Sequence, residues 1–145
     1  MCSSDLLQQS AAELGLNIDI QRAPGDGYYT NVWMKVPLHM AIITQRPTTD
    51  IMLSQYKSDA PLNEAGWNNE KYDQLLVAAR SELNEAKRRQ MYTDMQVLIK
   101  DEGGTAIPLF YSTLDAHSSR LKGLQPVATG NMMGYNFGAY AWLDA

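Results

Sequence analysis

Four side chains near the C-terminal end of the chain have the chemistry of a hydrolytic triad. Asp115 and His117 stand two residues apart, with Ser112 and Ser118 close by. In a triad, nucleophile and base must meet at hydrogen-bond distance while a third group orients the base. Residues this close along one strand cannot converge in that way. We therefore predict a surface position or a local hydrogen bond for His117, and no catalytic residue in this stretch.

The residue pattern also disfavours a metal centre or a nucleotide site. A zinc site needs three or four ligands, whereas Asp115 and His117 supply two, and Cys2 and His39 fall in separate predicted elements. Residues 25–27, GDG, are shorter than the phosphate-binding fingerprints and are typical of a turn before a helix cap. We expect no metal and no cofactor.

The sequence favours ligand binding over catalysis. Side chains suited to binding lie in residues 44–50, TQRPTTD, which follow an apolar run. Open α/β sheets bind ligands beyond the carboxyl ends of their strands, where the guanidinium of Arg46 could hold a carboxylate through two hydrogen bonds. The alternative is a structural arginine tied to a nearby carboxylate such as Asp50. Thr44 and Gln45 could supply further hydrogen bonds at the rim of a cleft.

Two tryptophans could add stacking surface to such a cleft. Trp67 lies among polar neighbours, and Trp33 lies in a predicted short helix. Large aromatic side chains stack on ligands but also fill cores and interfaces, so both interpretations stay open. The predicted ligand-binding residues are Thr44, Gln45, Arg46, Asp50, Trp67 and Trp33.

Most of these residues lie in one long crossing, residues 45–73. Before it, residues 38–43, LHMAII, are almost all apolar, which is typical of a strand buried on both faces. After it, apolar periodicity predicts a helical hairpin over 69–83 and 84–100, with Leu83 on the buried stripe of the first helix and Asn84 as a cap. Loops this long inside compact domains usually carry function, so we expect ligand to be met here. Residues 63–73 more simply fix the path into the hairpin.

Shorter elements surround this region. The helix nearest the N-terminus places Leu7, Ala11 and Leu14 on one face and stops at Gly15, and Asp26 is the expected cap of the next helix. The succession of helices and strands predicts an α/β layered unit. The further predicted elements are strands over 16–20, 106–111 and around 137–143, and a short helix over 26–35.

Composition indicates a globular chain that does not bind nucleic acid. Of 145 residues, 45% are hydrophobic and 19% are charged, which is typical of one unit that buries a core. The net charge is −4, without the basic stripe that phosphate-backbone binding requires. Residues 1–7, MCSSDLL, have neither a basic nor an apolar signal region, so we expect no export signal in them.

Five stretches in a fixed order carry a family resemblance. They are DGYYTNVWMKVP at 26–37, RPTTD at 46–50, the spacing from Asn63 to Trp67, NNEKYDQLLVAARSELNEAKRRQMY at 68–92, and DEGGTAIPLF at 101–110. Over roughly residues 6–142, the chain resembles the C-terminal part of the family 5 extracellular solute-binding proteins. These are the ligand-capturing subunits of ABC importers for peptides, nickel and related solutes.

The resemblance implies the type II periplasmic binding-protein fold, in which two lobes close over a solute and then dock on a permease. Residues 1–110 would be the C-terminal part of lobe II, a mixed sheet covered by helices, and residues 111–145 would cross back into lobe I. The chain would thus be a C-terminal fragment whose partners are a small solute or oligopeptide, the membrane permease and the missing N-terminal lobe. Its implied location is periplasmic or extracellular at the membrane. A strand without its neighbours should be loosely held or inclined to associate.

The ligand class follows from one departure from the family pattern. In the peptide-binding members, an acidic residue near the end of the strand corresponding to 38–44 holds the amino group of the ligand, and this stretch has no acid. Arg46 stands close by instead. Peptide remains the default class, with the hypothesis that the ligand carries a carboxylate or another anionic group facing Arg46. The alternative function is a small ligand-sensing or hydrolytic domain built on the same lobe.

Overall fold

A computed structural model of the chain describes residues 3–144. Its regular structure is mainly helical and is concentrated between residues 49 and 102. The helices are α1 (Ser3–Glu13), α2 (Tyr28–Asn31), α3 (Thr49–Ser54), α4 (Glu70–Ser81) and α5 (Glu85–Glu102), and the strands are β1 (Leu121–Lys122) and β2 (Trp142–Leu143).

The core lies where α3 packs against the hairpin of α4 and α5. Tyr72, Leu76 and Ala79 recur at helical spacing on α4 and are fully buried, and Met95 of α5 closes on them. Leu53 of α3 completes the cluster, and its carbonyl oxygen accepts a hydrogen bond of 2.6 Å from the Tyr72 hydroxyl. Apolar burial therefore joins the three helices, and this hydrogen bond adds a polar link between α3 and α4.

Each of the three core helices begins at a side chain that caps it. Thr48, Asn69 and Asn84 have extended backbones, and the side-chain oxygen of each accepts a hydrogen bond from the backbone N–H three residues later. The predicted hairpin over 69–83 and 84–100 is confirmed, including its Asn84 cap. The placement of Leu83 in the core is wrong: Glu82 is already extended, so α4 has ended and Leu83 lies exposed.

The N-terminal elements follow the prediction in part. α1 ends near Gly15, whose left-handed backbone (φ 76°) suits a residue without a side chain. Leu14 is nevertheless exposed, because it lies beyond the last helical turn. The second helix is confined to Tyr28–Asn31, and the residue at its cap position is Gly27 rather than the predicted Asp26.

The predicted strands over 16–20, 38–43 and 106–111 take part in no ladder among residues 3–144. The sheet there consists of β1 and β2, paired antiparallel with Leu121 opposite Leu143. The last predicted strand, around 137–143, is extended and paired only at Trp142–Leu143, because Phe137–Ala139 forms a 3₁₀ turn. A strand needs a neighbouring backbone to hydrogen-bond, and none of the described segments forms such a ladder with the other three runs.

Asn131–Gly134, between β1 and the 3₁₀ turn, forms an unusual left-handed turn. Met132 and Met133 both have positive φ, at 47° and 56°. Left-handed backbone costs a residue with a side chain about 1–2 kcal/mol. The Asp115 carboxylate compensates in part, because its Oδ2 accepts a 2.7 Å hydrogen bond from the Met132 N–H.

Candidate functional site

Thr44, Gln45 and Arg46 lie on an exposed, irregular segment that runs from residue 36 to residue 46. Within the described part of the chain, residues 36–47 make no backbone-to-backbone hydrogen bond. The Tyr28 hydroxyl donates to the Met40 carbonyl oxygen at 2.6 Å, which attaches the segment to α2. The side chains of the three candidates therefore project from a segment that few contacts hold.

Arg46 is exposed, and no carboxylate of residues 3–144 lies within 4.0 Å of its guanidinium. The structural alternative, in which Arg46 pairs with Asp50, does not occur in the structure. Asp50 instead pairs with Arg80, through Nε at 2.9 Å and Nη2 at 3.0 Å. Among residues 3–144, the guanidinium of Arg46 thus makes no hydrogen bond or ion pair, and its donors face outward.

Asp50 is committed to the packing of three helices. It stands in the first turn of α3, receives both Arg80 hydrogen bonds from α4, and accepts a long hydrogen bond of 3.4 Å from the Tyr92 hydroxyl of α5. Burial and the nearby Asp50 charge raise the pKa of Tyr92, so this hydroxyl remains a donor. Any contact between Asp50 and a ligand would compete with Arg80.

Trp67 is half-buried at the entry to α4. Its ring meets the Tyr72 ring edge-on at 5.1 Å, and its backbone N–H and C=O are both bound by the buried Asn63 amide, at 3.3 and 2.6 Å. The Asp73 carboxylate likewise accepts a hydrogen bond from the Ser58 N–H. These contacts hold residues 63–73 on their path into the hairpin, and the prediction that these residues do so rather than contact ligand stays a prediction.

Trp33 connects the region of α2 to the crossing. Its indole Nε1 donates to Oε1 of Glu64 at 2.9 Å, and its ring packs edge-on against Tyr29 at 5.7 Å. Oε2 of the same Glu64 lies 3.8 Å from His39 Nε2. Trp33, Glu64 and His39 therefore form one polar cluster between residues far apart in sequence.

The structure does not join the predicted ligand residues into one cluster. Among residues 3–144, no hydrogen bond, ion pair or ring contact links Thr44, Gln45 or Arg46 to Trp33, Asp50 or Trp67. Sequence reasoning missed Glu64 and the part that His39 plays. The available signal was His39 itself, the polar interruption of the apolar run over 38–43.

The side chains considered for catalysis make local contacts. Asp115 binds the Met132 N–H, and His117 Nδ1 lies 2.9 Å from the carbonyl oxygen of Ser118. In the portion of the chain that the structure covers, no three His, Cys, Asp or Glu residues come together as metal ligands would. None of the helices there combines the length and apolar character needed to cross a membrane.

Surface shape adds two open, shallow depressions on the core helices. One lies along α5 beside Glu85, Arg89 and Thr93, and the other lies beside α4 at Glu70 and Val77. Neither depression is lined by a predicted ligand residue.

Comparison of the chain with protein-family models, curated proteins and solved structures gives no match.

Proposed function

We propose that this chain is the C-terminal portion of a family 5 type solute-binding subunit of an ABC importer, which captures peptides or related small solutes. The observation that carries the proposal is the pair of exposed apolar segments over 38–43 and 106–111. Both have the composition of buried strands, and neither pairs with another segment of residues 3–144. A larger protein would supply the missing strands.

The exposure of these segments is too large for an ordinary surface. Ile42 is 66% exposed and Phe110 is 92% exposed, and their neighbours Leu38 and Ile107 are also open to solvent. Contiguous exposed apolar residues mark interaction surfaces, and unpaired strand-like segments are templates for pairing. In the proposed receptor, residues 38–43 and 106–111 are strands of the type II binding-protein sheet in lobe II.

The C-terminal segment supports an assignment to the other lobe. Its elements contact one another: β1 pairs with β2, the left-handed turn packs on the 3₁₀ turn, and Asp115 binds Met132. Under the proposal, residues 1–110 belong to lobe II, and residues 111–145 return to lobe I. The whole receptor would act in the periplasm, or outside the cell in association with the membrane, and would deliver its solute to a permease.

Arg46 is the central ligand contact under this proposal. It follows the apolar segment directly, at the position where α/β sheets meet their ligands, and its guanidinium is free to hold a carboxylate through two hydrogen bonds. Thr44 and Gln45 supply further hydrogen bonds, Trp33 and Trp67 supply apolar surface, and Asp50 lies at the rim. The solute is thus a peptide or another small molecule with an anionic group.

The first experiment reads the DNA upstream of this reading frame. The proposal expects an export signal and a first lobe encoded there, with permease genes alongside. Expression of the joined chain should then give a protein that binds oligopeptides in a calorimeter. A complete, stand-alone gene with its own control elements and no importer genes nearby would contradict the proposal.

The second experiment tests Arg46 in the joined chain. Arg46→Ala should weaken the binding of an anionic solute about tenfold or more, because a charge-assisted bidentate contact is lost. Lys71→Ala, which removes an exposed cation from α4, is the matched control and should leave affinity unchanged. Unchanged affinity of Arg46→Ala for every bound solute would remove Arg46 from the site.

A further inference from the structure

Asp26 is an exposed aspartate that directly precedes a glycine, in the turn that leads into α2. Among residues 3–144, its carboxylate takes part in no hydrogen bond or ion pair. The backbone N–H of Gly27 likewise donates to no acceptor there. These two groups are the reactants of the rearrangement that converts aspartate into isoaspartate, and neither is held by another contact of the described chain.

The rearrangement needs only the chain and water. The backbone nitrogen of Gly27 attacks Cγ of Asp26, so that an N–Cγ bond forms and a C–O bond of the carboxyl group breaks. The released oxygen leaves as water, with the amide proton and the carboxyl proton. Water then opens the resulting succinimide ring at either carbonyl carbon. Opening at Cγ restores aspartate, whereas opening at the backbone carbon gives isoaspartate, whose main chain runs through Cβ and Cγ.

We propose that Asp26 and Gly27 form a site of spontaneous isoaspartate formation in the folded chain. A glycine nitrogen can be approached closely because no side chain shields it. The fold also requires glycine at this position. Its backbone is left-handed (φ 77°), and a Cβ there would lie 2.9 Å from Nδ2 of Asn31. The turn that begins α2 therefore demands the residue that makes Asp26 reactive.

Comparison with other aspartates shows what distinguishes Asp26. It is the one aspartate of the sequence that precedes a glycine. Asp19 is also exposed and has no partner among residues 3–144, but the β-branched side chain of Ile20 crowds the nitrogen that would attack. Asp115 precedes an alanine, and its carboxylate is engaged by the Met132 N–H. Asp26 therefore combines an exposed carboxylate, a free N–H and an unshielded nitrogen.

Isomerisation should displace α2 and weaken its attachments. The Tyr28 N–H donates to the Gly25 carbonyl oxygen at 3.3 Å, across the reactive bond. Isoaspartate adds a methylene group to the main chain inside this turn, so the turn cannot keep its geometry. The Tyr28 hydroxyl bound to Met40 and the Trp33 indole bound to Glu64 both depend on the placement of this helix. This consequence does not rest on the proposed function.

Ageing of the full chain tests the site directly. The folded chain is incubated for weeks at neutral pH and body temperature, and trypsin then releases residues 23–35 as one peptide. The isoaspartyl form has the same mass but a different retention time, and it accepts a methyl group from an isoaspartyl-specific methyltransferase. We expect isoaspartate to form at Asp26 about tenfold or more faster than at Asp19, a difference of about 1.4 kcal/mol in activation free energy.

Two controls accompany the ageing experiment. Asp26→Glu keeps the charge, but its longer side chain would have to close a larger ring, so the variant should form no isoaspartyl product. A synthetic peptide of residues 23–35, aged in parallel, shows the reaction without the fold and does not depend on any variant folding. Absence of isoaspartate from the folded chain, whatever the peptide shows, would overturn the proposal, as would equal rates at Asp26 and Asp19.

Nuclear magnetic resonance of the aged chain tests the displacement of α2. The indole N–H signal of Trp33 should shift in the isoaspartyl form, because its hydrogen bond to Glu64 is disturbed. The indole signals of Trp67 and Trp142 lie in other parts of the fold and should stay where they are. A Trp33 signal that is the same in the aspartyl and isoaspartyl forms would overturn the displacement.

Discussion

At the scale of single residues, the Asn63 amide is a buried polar group that binds the backbone of the crossing. It donates to the Trp67 carbonyl and accepts from the Trp67 N–H. Asn63→Ala leaves both backbone groups without their partner, which should lower the free energy of unfolding by about 1–3 kcal/mol. Urea denaturation measures the change. Asn17→Ala, at an exposed position, is the control and should stay within about 0.5 kcal/mol of wild type.

Because the Tyr72 hydroxyl is buried, we expect the free energy of unfolding to depend on pH in the alkaline range. Burial raises the pKa of Tyr72 above its ordinary value of 10.0, with smaller contributions from neighbouring charges. The unfolded chain loses this proton near pH 10, while the folded chain keeps it. The stabilisation from the protonated hydroxyl is therefore complete below pH 10 and is lost as pH rises towards the raised pKa.

Tyr72→Phe should consequently have two effects. Near neutral pH it lowers the free energy of unfolding by about 1–2 kcal/mol, because the Leu53 carbonyl loses its donor. Above pH 10 the variant should lose stability less steeply than wild type, as followed by circular dichroism during urea unfolding. Tyr140→Phe, which changes an exposed tyrosine, should keep the wild-type slope. Identical slopes for Tyr72→Phe and wild type would exclude Tyr72 as the titrating group.

At the scale of elements, the sequence predicts those parts whose stabilising contacts are local. α4 and α5 combine an apolar stripe with the caps Asn69 and Asn84, so periodicity and capping agree. α3 was missed because six residues give too short a pattern, although Thr48 followed by Asp50 and Leu53 carries the signal of a capped helix. The predicted strand over 38–43 does not form among residues 3–144, because strand formation needs a pairing partner and the composition of the run does not show whether one is present.

The candidate site shows the same division between local and distant contacts. The contacts of Asn63 with Trp67 and of Asn69 with Tyr72 span four and three residues, so they are open to local prediction, whereas the contact of Ser58 with Asp73 spans 15. The pairing of Asp50 with Arg80 could not be predicted, since 30 residues separate them and proximity in sequence favoured Arg46. The cluster of Trp33, Glu64 and His39 likewise joins separate elements, and sequence alone marks only His39 as unusual.

The ion pair between Asp50 and Arg80 should contribute little to stability. The Arg80 side chain is half exposed, so solvent and salt screen its charge. Asp50→Asn should lower the free energy of unfolding by less than about 1 kcal/mol, and the loss should shrink in concentrated salt. Asp19→Asn, which alters an exposed acid, controls for net charge. Leu76→Ala should cost about 2–5 kcal/mol at either salt concentration, because it opens a cavity in the core.

At the scale of the whole molecule, the most exposed apolar side chains after α5 are not the ones that stabilise the helical core. Phe110 and Leu114 lie in the unpaired stretch after α5, whereas the core consists of α3, α4 and α5. Phe110→Ser with Leu114→Ser should therefore leave the free energy of unfolding within about 1 kcal/mol of wild type, as two independent surface changes. In sedimentation velocity, the wild-type chain should associate with rising concentration, and the double variant should associate less.

Val77→Ser is the control for that comparison. Val77 is also exposed but lies on α4, where the backbone hydrogen bonds of the helix leave nothing to pair with another chain. This variant should associate as the wild type does. A wild-type chain that remains monomeric throughout the concentration series would show that the unpaired stretch after α5, residues 105–117, does not pair with other copies of the chain.

The last prediction concerns ligand binding by the chain alone. In a two-lobed receptor, the solute contacts both lobes, and the free energy of association must exceed the cost of immobilising it. Here Thr44, Gln45 and Arg46 are exposed on one segment, and among residues 3–144 no hydrogen bond, ion pair or ring contact links them to Trp33, Asp50 or Trp67. If the proposed receptor is right, the 145-residue chain should therefore show no saturating heat signal with oligopeptides at micromolar concentrations, while the chain joined to the proposed first lobe should saturate. Saturation of the isolated chain would place a complete site within these residues and would exclude a cleft shared between lobes.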